Sequence, residues 1–90
     1  MQTIYVVQVE PDGPLKIGIT GALEQRLDSF KTSCPYPLAL RDFFPGTPLV
    51  ERRLHNCIRE HRLQGEWFKP EQAVFDFIEQ AKADALIEPD

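Results

Sequence analysis

The chain has 90 residues, 42% of them hydrophobic, and carries 14 acidic against 10 basic side chains for a net charge of −4. This describes one small globular domain, 1–90, with a single core, and excludes a disordered chain on composition. No stretch approaches the roughly 20 apolar residues of a membrane span, and no basic segment precedes an apolar signal core, so the expected setting is cytoplasmic. The acidic balance also argues against gripping nucleic acid by bulk electrostatics.

Thr3–Val9 and Leu15–Thr20 are short runs rich in β-branched residues around Glu10-Pro11-Asp12-Gly13-Pro14. The branched side chains suit a pleated surface, Pro11 presets φ, and Gly13 allows a positive φ, so the pattern predicts a hairpin. An even-numbered loop places Tyr5 and Lys16 on one face of the sheet, opposite or one step diagonal; an odd loop separates them. On one face, the ammonium is expected to lower the pKa of the phenol from about 10.

Thr20-Gly21 offers a helix N-cap, followed by a helix from Ala22 to Lys31 with Leu23, Leu27 and Phe30 as its apolar stripe and Arg26 on the edge of it. The prolines at 35 and 37 end that helix. Leu38–Phe44 reads as a third strand, bounded by Pro45-Gly46. Thr47-Pro48 is a strong helix start, with a capping hydroxyl and proline at the first helical position. That helix is expected to reach about His61 or Arg62, with Val50, Leu54 and Cys57/Ile58 inward, and Glu51 and His55 stacked on one face. Leu63–Phe68 looks like a turn into a short extended piece. A last helix, about 70–87, opens at Pro70 and places Val74, Phe77, Ile78 and Ala81 inward; Glu88-Pro89-Asp90 is expected to fray. The fold class is therefore α/β (α+β), a small and mainly antiparallel three-stranded sheet flanked by helices in the order ββαβαα.

Charge is uneven along the chain. Residues 71–90 hold six acids against Lys82, a net of −5, whereas residues 1–70 carry a net of +1, with Arg52, Arg53, Arg59 and Arg62 crowded into one segment. Cys34 and Cys57 lack the spacing of a redox or zinc motif and are expected to be reduced and partly buried.

Four elements then combine: Ile4-Tyr5 on the first strand, Lys16-Ile17-Gly18-Ile19-Thr20 on the second, Arg26 on the first helix, and Glu51-Arg52-Arg53-Leu54-His55 followed by Gly65-Glu66-Trp67-Phe68. In this order, with 11 and 10 residues separating Tyr5, Lys16 and Arg26, they resemble the GIY-YIG nuclease superfamily. The similarity is to its compact branch, which has K-I-G in place of Y-I-G, and it spans about residues 3–70. Thr3 replaces the glycine of the first motif, Lys16 replaces the second tyrosine, and Phe30 stands where many relatives carry histidine.

The resemblance implies an endonuclease that hydrolyses DNA phosphodiester bonds with one divalent cation, Mg²⁺ or Mn²⁺. Carried over by position, Tyr5 would act as general base with Lys16 as its electrostatic partner. Arg26 would clamp the phosphate, Glu51 would hold the metal, and His55 would position water or the leaving group. These types suit the chemistry: a guanidinium matches a phosphate oxygen, and Mg²⁺ is satisfied by one carboxylate plus waters and substrate oxygens. Arg52, Arg53 and Trp67 are candidate nucleic-acid contacts, and a homodimer or a partner protein would supply missing DNA affinity.

Each residue alone has a plainer reading. Tyr5 is a common strand residue, Glu51 suits the positive end of a helix dipole, and His55 beside Leu54 is an ordinary half-buried histidine. The competing function is a binding module on the same fold, catalytically weak or inactive, recognising nucleic acid or a protein.

Overall fold

The structure, a computed structural model, describes residues 1–86; the expected fraying of 88–90 and the last residue of the expected 70–87 helix lie outside them. The chain runs β1 (Thr3–Val9), β2 (Leu15–Thr20), α1 (Leu23–Ser33), β3 (Leu38–Pro45) and α2 (Pro48–Cys57). A single 3₁₀ turn (Arg59–His61), β4 (Arg62–Gln64), β5 (Trp67–Phe68) and α3 (Gln72–Leu86) complete it. The α+β class and the ββαβαα framework hold. The sheet, however, has five strands in the order β3-β1-β2-β5-β4, with every pairing antiparallel. The extended piece at 63–68 is thus a second, very short hairpin whose arms are too short for periodicity to reveal. It turns at Gly65, the one described residue in the left-handed region (φ 56°).

The first hairpin follows the even-loop parity. Tyr5 pairs with Gly18 and Val7 with Lys16, so Tyr5 and Lys16 share a face, one diagonal step apart. Gly13 does not use a positive φ as expected. It is small because its backbone approaches Val9, where a Cβ would come within 2.8 Å of the Val9 Cβ and carbonyl oxygen. Buried Gln8 locks the turn, donating to the Gly13 carbonyl at 2.9 Å and accepting from Arg41 Nε at 2.8 Å. Arg41 is the extra residue of a bulge, since Val6 pairs with Asp42 and Val7 with Leu40.

Strand alternation sorts the side chains into two layers. One face carries Ile4, Val6, Leu15, Ile17 and Phe44 onto Leu54 and Ile58 of the α2 segment, Phe68, and Val74 and Ile78 of α3. The other presents Tyr5, Val7, Lys16, Gly18 and Trp67 toward α1, whose Phe30 ring lies 5.8 Å from that of Tyr5. None of the α1 side chains is fully buried, so this second layer is thin and open.

Helix ends follow local chemistry with small shifts. Thr47 caps α2, its hydroxyl accepting from Val50 N at 3.2 Å, with Pro48 first in the helix. The Thr20 hydroxyl accepts from Ala22 N at 3.0 Å, but Ala22 rather than Thr20 or Gly21 sits at the cap, and α1 continues to Ser33. α2 stops at Cys57, earlier than its pattern suggests, because the backbone tightens into the 3₁₀ turn. Phe77, expected inward, is 42% exposed, and Phe75 packs against the core instead. Lys82 Nζ pins α3 to β3 through Asp42 at 3.0 Å. Both cysteines are free thiols; Cys34 is half-buried as expected, but Cys57 is exposed.

Candidate active site

β2 organises the site through one residue, Ile17. Its amide donates to the Glu66 carbonyl at 3.0 Å, and its carbonyl accepts from His55 Nε2 at 2.9 Å. A carbonyl only accepts, so Nε2 is the donor of this bond and carries a proton. The β2–β5 ladder ends at this point, and α2 takes over the rest of the β2 edge. Glu51, one helical turn before His55, is thereby brought to the same edge. His55 also packs its ring 5.1 Å from that of Phe68. It ties helix to sheet through Nε2, a contact that the sequence reading did not anticipate.

Tyr5 crosses β1 to lie over Gly18. A Cβ on Gly18 would overlap the Tyr5 hydroxyl and ring and come within 2.9 Å of Glu66 Oε1. The phenol and the Glu66 carboxylate therefore crowd one point above the sheet, and only glycine leaves room for both. Glu66 is the residue that sequence reasoning missed. It stands inside the quoted Gly65-Glu66-Trp67-Phe68 motif, yet nothing local told that its side chain would face the site and not solvent.

Lys16 and Tyr5 emerge on the same face, but the expected consequence fails. The Lys16 ammonium is taken up by Glu66 at 3.4 Å and lies over the rings of Trp67 (5.3 Å) and Phe30 (5.9 Å). The Tyr5 phenol is pushed up to about 12 rather than down: burial dominates, the negative charge of Glu66 adds to it, nearby Arg26 opposes it, and Glu51 adds a further rise. Glu51 is also raised above the usual carboxylate range, first by burial, with His55 opposing and Glu66 reinforcing. Its Oε2 is buried with no hydrogen-bond partner among the described residues. Arg26 is exposed, and its guanidinium makes no hydrogen bond or ion pair among those residues.

Glu66, Arg26 and Glu51 thus lie near enough to the Tyr5 phenol to bias its ionisation, and Lys16 pairs with Glu66. Trp67 joins them through Lys16. Exposed Arg52 sits next to Glu51 in the chain, but Arg53 turns the other way and lines a groove between α2 and α3 with Asp84. No group of three His, Cys, Asp or Glu side chains converges as a metal cage among the described residues. The donor set does suit a hard cation that keeps most of its water. An orphaned carboxylate oxygen is an atom in need of a positive partner, and Glu51 offers one.

Searches of curated proteins and of solved structures give no significant match. A family model described as T5orf172 domain matches residues 2–86, and no described element falls outside that match. The chain belongs to the T5orf172 domain family, which is nuclease-associated.

Proposed function

We propose that this domain is a GIY-YIG-type endonuclease that hydrolyses DNA phosphodiester bonds with the help of one Mg²⁺ or Mn²⁺ ion. The observation that carries the reading is that Arg26, whose guanidinium has no partner among the described residues, and Glu51, whose buried Oε2 has none among them either, both bias the ionisation of the Tyr5 phenol. Structural stability gives no reason for that trio.

Arg26 binds the scissile phosphate through its planar fork, in an exposed position that a backbone strand can reach. Glu51 holds the cation, which as a Lewis acid would stabilise charge on the phosphate and on the leaving oxygen. Tyr5 is neutral in the free protein, because burial first and the Glu66 and Glu51 carboxylates second disfavour its anion. To serve as general base on the attacking water it must first give its proton to solvent, which burial and the negative charge both oppose. Lys16, paired with Glu66, is a wall of the site and not the activator of Tyr5. His55 acts through Ile17, fixing α2 and hence Glu51 against β2.

Purified protein incubated with DNA and MgCl₂ or MnCl₂ should cleave it, and Glu51→Ala and Arg26→Ala should each lose about a hundredfold or more. Equal cleavage by wild type and Glu51→Ala, or none by either, ends this reading. The raised pKa of Tyr5 favours a second one, an inactive module that binds nucleic acid on the same face. It predicts DNA binding by wild type with no cleavage in either metal.

A further inference from the structure

We propose that Glu66 is a second carboxylate for the divalent cation, sharing it with Glu51, and that Lys16 is the built-in counter-ion that holds Glu66 until the cation arrives. This rests on the endonuclease reading, because it concerns the same cation.

Ile17 carries the argument. Glu66 is tethered to its amide and α2 to its carbonyl, so Glu66 and Glu51 are anchored on either side of a single β2 residue. The Gly65 turn fixes where β5 begins, and the Thr47 cap fixes where α2 begins. Glu66 Oε1 then lies over Gly18 beside the Tyr5 hydroxyl. Each carboxylate is short of partners. Glu51 Oε2 has none among the described residues, and Glu66 has the Lys16 ammonium at 3.4 Å, with its side chain 40% exposed. The one ammonium in contact is taken by Glu66, so the buried Glu51 Oε2 is left without a positive partner among the described residues, and a cation between the two carboxylates would supply it.

The Lys16–Glu66 pair is loose enough to exchange. At 3.4 Å it is a solvent-touched contact and not a short bidentate bond. Losing it would not strand the ammonium, since Lys16 keeps the faces of Trp67 and Phe30. From there it remains available to a phosphate oxygen on the same side as Arg26. Glu66 thus links two events: taking up the cation frees a positive charge for the nucleic-acid backbone.

Calorimetric titration of MnCl₂ into the full chain tests this, with the manganese electron paramagnetic resonance signal as an independent count of bound ion. Wild type, Glu51→Gln, Glu66→Gln and Lys16→Met are compared after thermal melts establish that each is folded. Glu51→Gln and Glu66→Gln should each weaken Mn²⁺ binding by about tenfold or more, as charge count sets the affinity of such sites. Lys16→Met should strengthen it several-fold by removing the competitor. Wild-type affinity in Glu66→Gln alongside loss in Glu51→Gln overturns the role of Glu66 and leaves the endonuclease reading standing. Unchanged or weaker binding in folded Lys16→Met overturns the counter-ion role. No Mn²⁺ bound by wild type at millimolar concentration overturns both this inference and the cation assignment to Glu51.

Discussion

The decisive residue is Gly18, because two functional groups share the volume that a side chain there would fill. In Gly18→Ala the new methyl meets the Tyr5 hydroxyl and ring and the Glu66 carboxylate, all held from other elements. Overpacking of this kind costs about 1–3 kcal/mol, and it displaces the phenol itself. Gly18→Ala should therefore melt lower and lose cleavage, whereas Gly21→Ala, whose Cβ meets nothing within 4 Å, should do neither; thermal melts and a cleavage assay on both check this. Tyr5 makes a second prediction through its ionisation. With the folded pKa near 12 and the unfolded value near 10, the native state holds the proton longer than the unfolded chain. Stability from this group is intact below pH 10 and falls as pH rises from about 10 to 12, by on the order of 2 kcal/mol. Urea melts of wild type and Tyr5→Phe across that window should show the wild type losing more, the two curves converging in slope below pH 10. An equal loss in both would mean that the phenol is not the group responsible.

Among elements, β2 and α2 matter most, and their junction shows how much of the site the chain announces. The alternation in Thr3–Val9 offers two parities for the hairpin, and the register realises the even one, which puts Tyr5 and Lys16 on one face. Thr47-Pro48 was enough to start α2, and so to orient Glu51 and His55 together. What local pattern cannot carry is which partner a polar group finds across 38 residues. His55 is half-buried as its place beside Leu54 suggests, but its bond to the Ile17 carbonyl forms at the end of a ladder that a two-residue strand fails to complete. Lys16 reads as the partner of Tyr5 until Glu66 arrives from that strand. Both partnerships trace to β4 and β5, which are too short to give a periodic signal. The tie is testable as an element-level effect. His55→Phe keeps an aromatic ring against Phe68 but leaves the Ile17 carbonyl without its donor, which costs about 1–3 kcal/mol. Denaturant unfolding should show a lower midpoint at an unchanged m-value. Cleavage should fall as well, because Glu51 loses its anchor. A full-stability His55→Phe with no cleavage would instead make the imidazole a chemical participant.

At the scale of the molecule, the net acidity comes from residues 71–90. The exposed acids Asp76, Glu79 and Asp84 ride on α3, which packs on the face of the sheet away from Tyr5. Arg26 lies on α1, on the open face, and Arg52 follows Glu51 on the outside of α2. An acidic protein can bind a polyanion only through such a local arrangement, and few phosphates would then be neutralised. Each phosphate contact contributes about 0.9 to the slope of log affinity against log salt, so two contacts give a slope near −2 for duplex DNA. Arg26→Ala and Arg52→Ala should each lower its magnitude by about one, weakening binding evenly across sequences. Arg53→Ala should leave the slope unchanged, since that side chain faces the α2–α3 groove beside Asp84. Fluorescence anisotropy of a labelled duplex across a salt series measures all three. The Arg53 variant is the informative arm, because Arg52 and Arg53 are equivalent in charge and adjacent in the chain. The rotation of α2 against β2, set by Leu54 in the core and His55 on Ile17, is the only difference from which unequal effects of the two variants are expected. Equal loss of slope in both variants would place the DNA across the α2–α3 side and detach it from Tyr5.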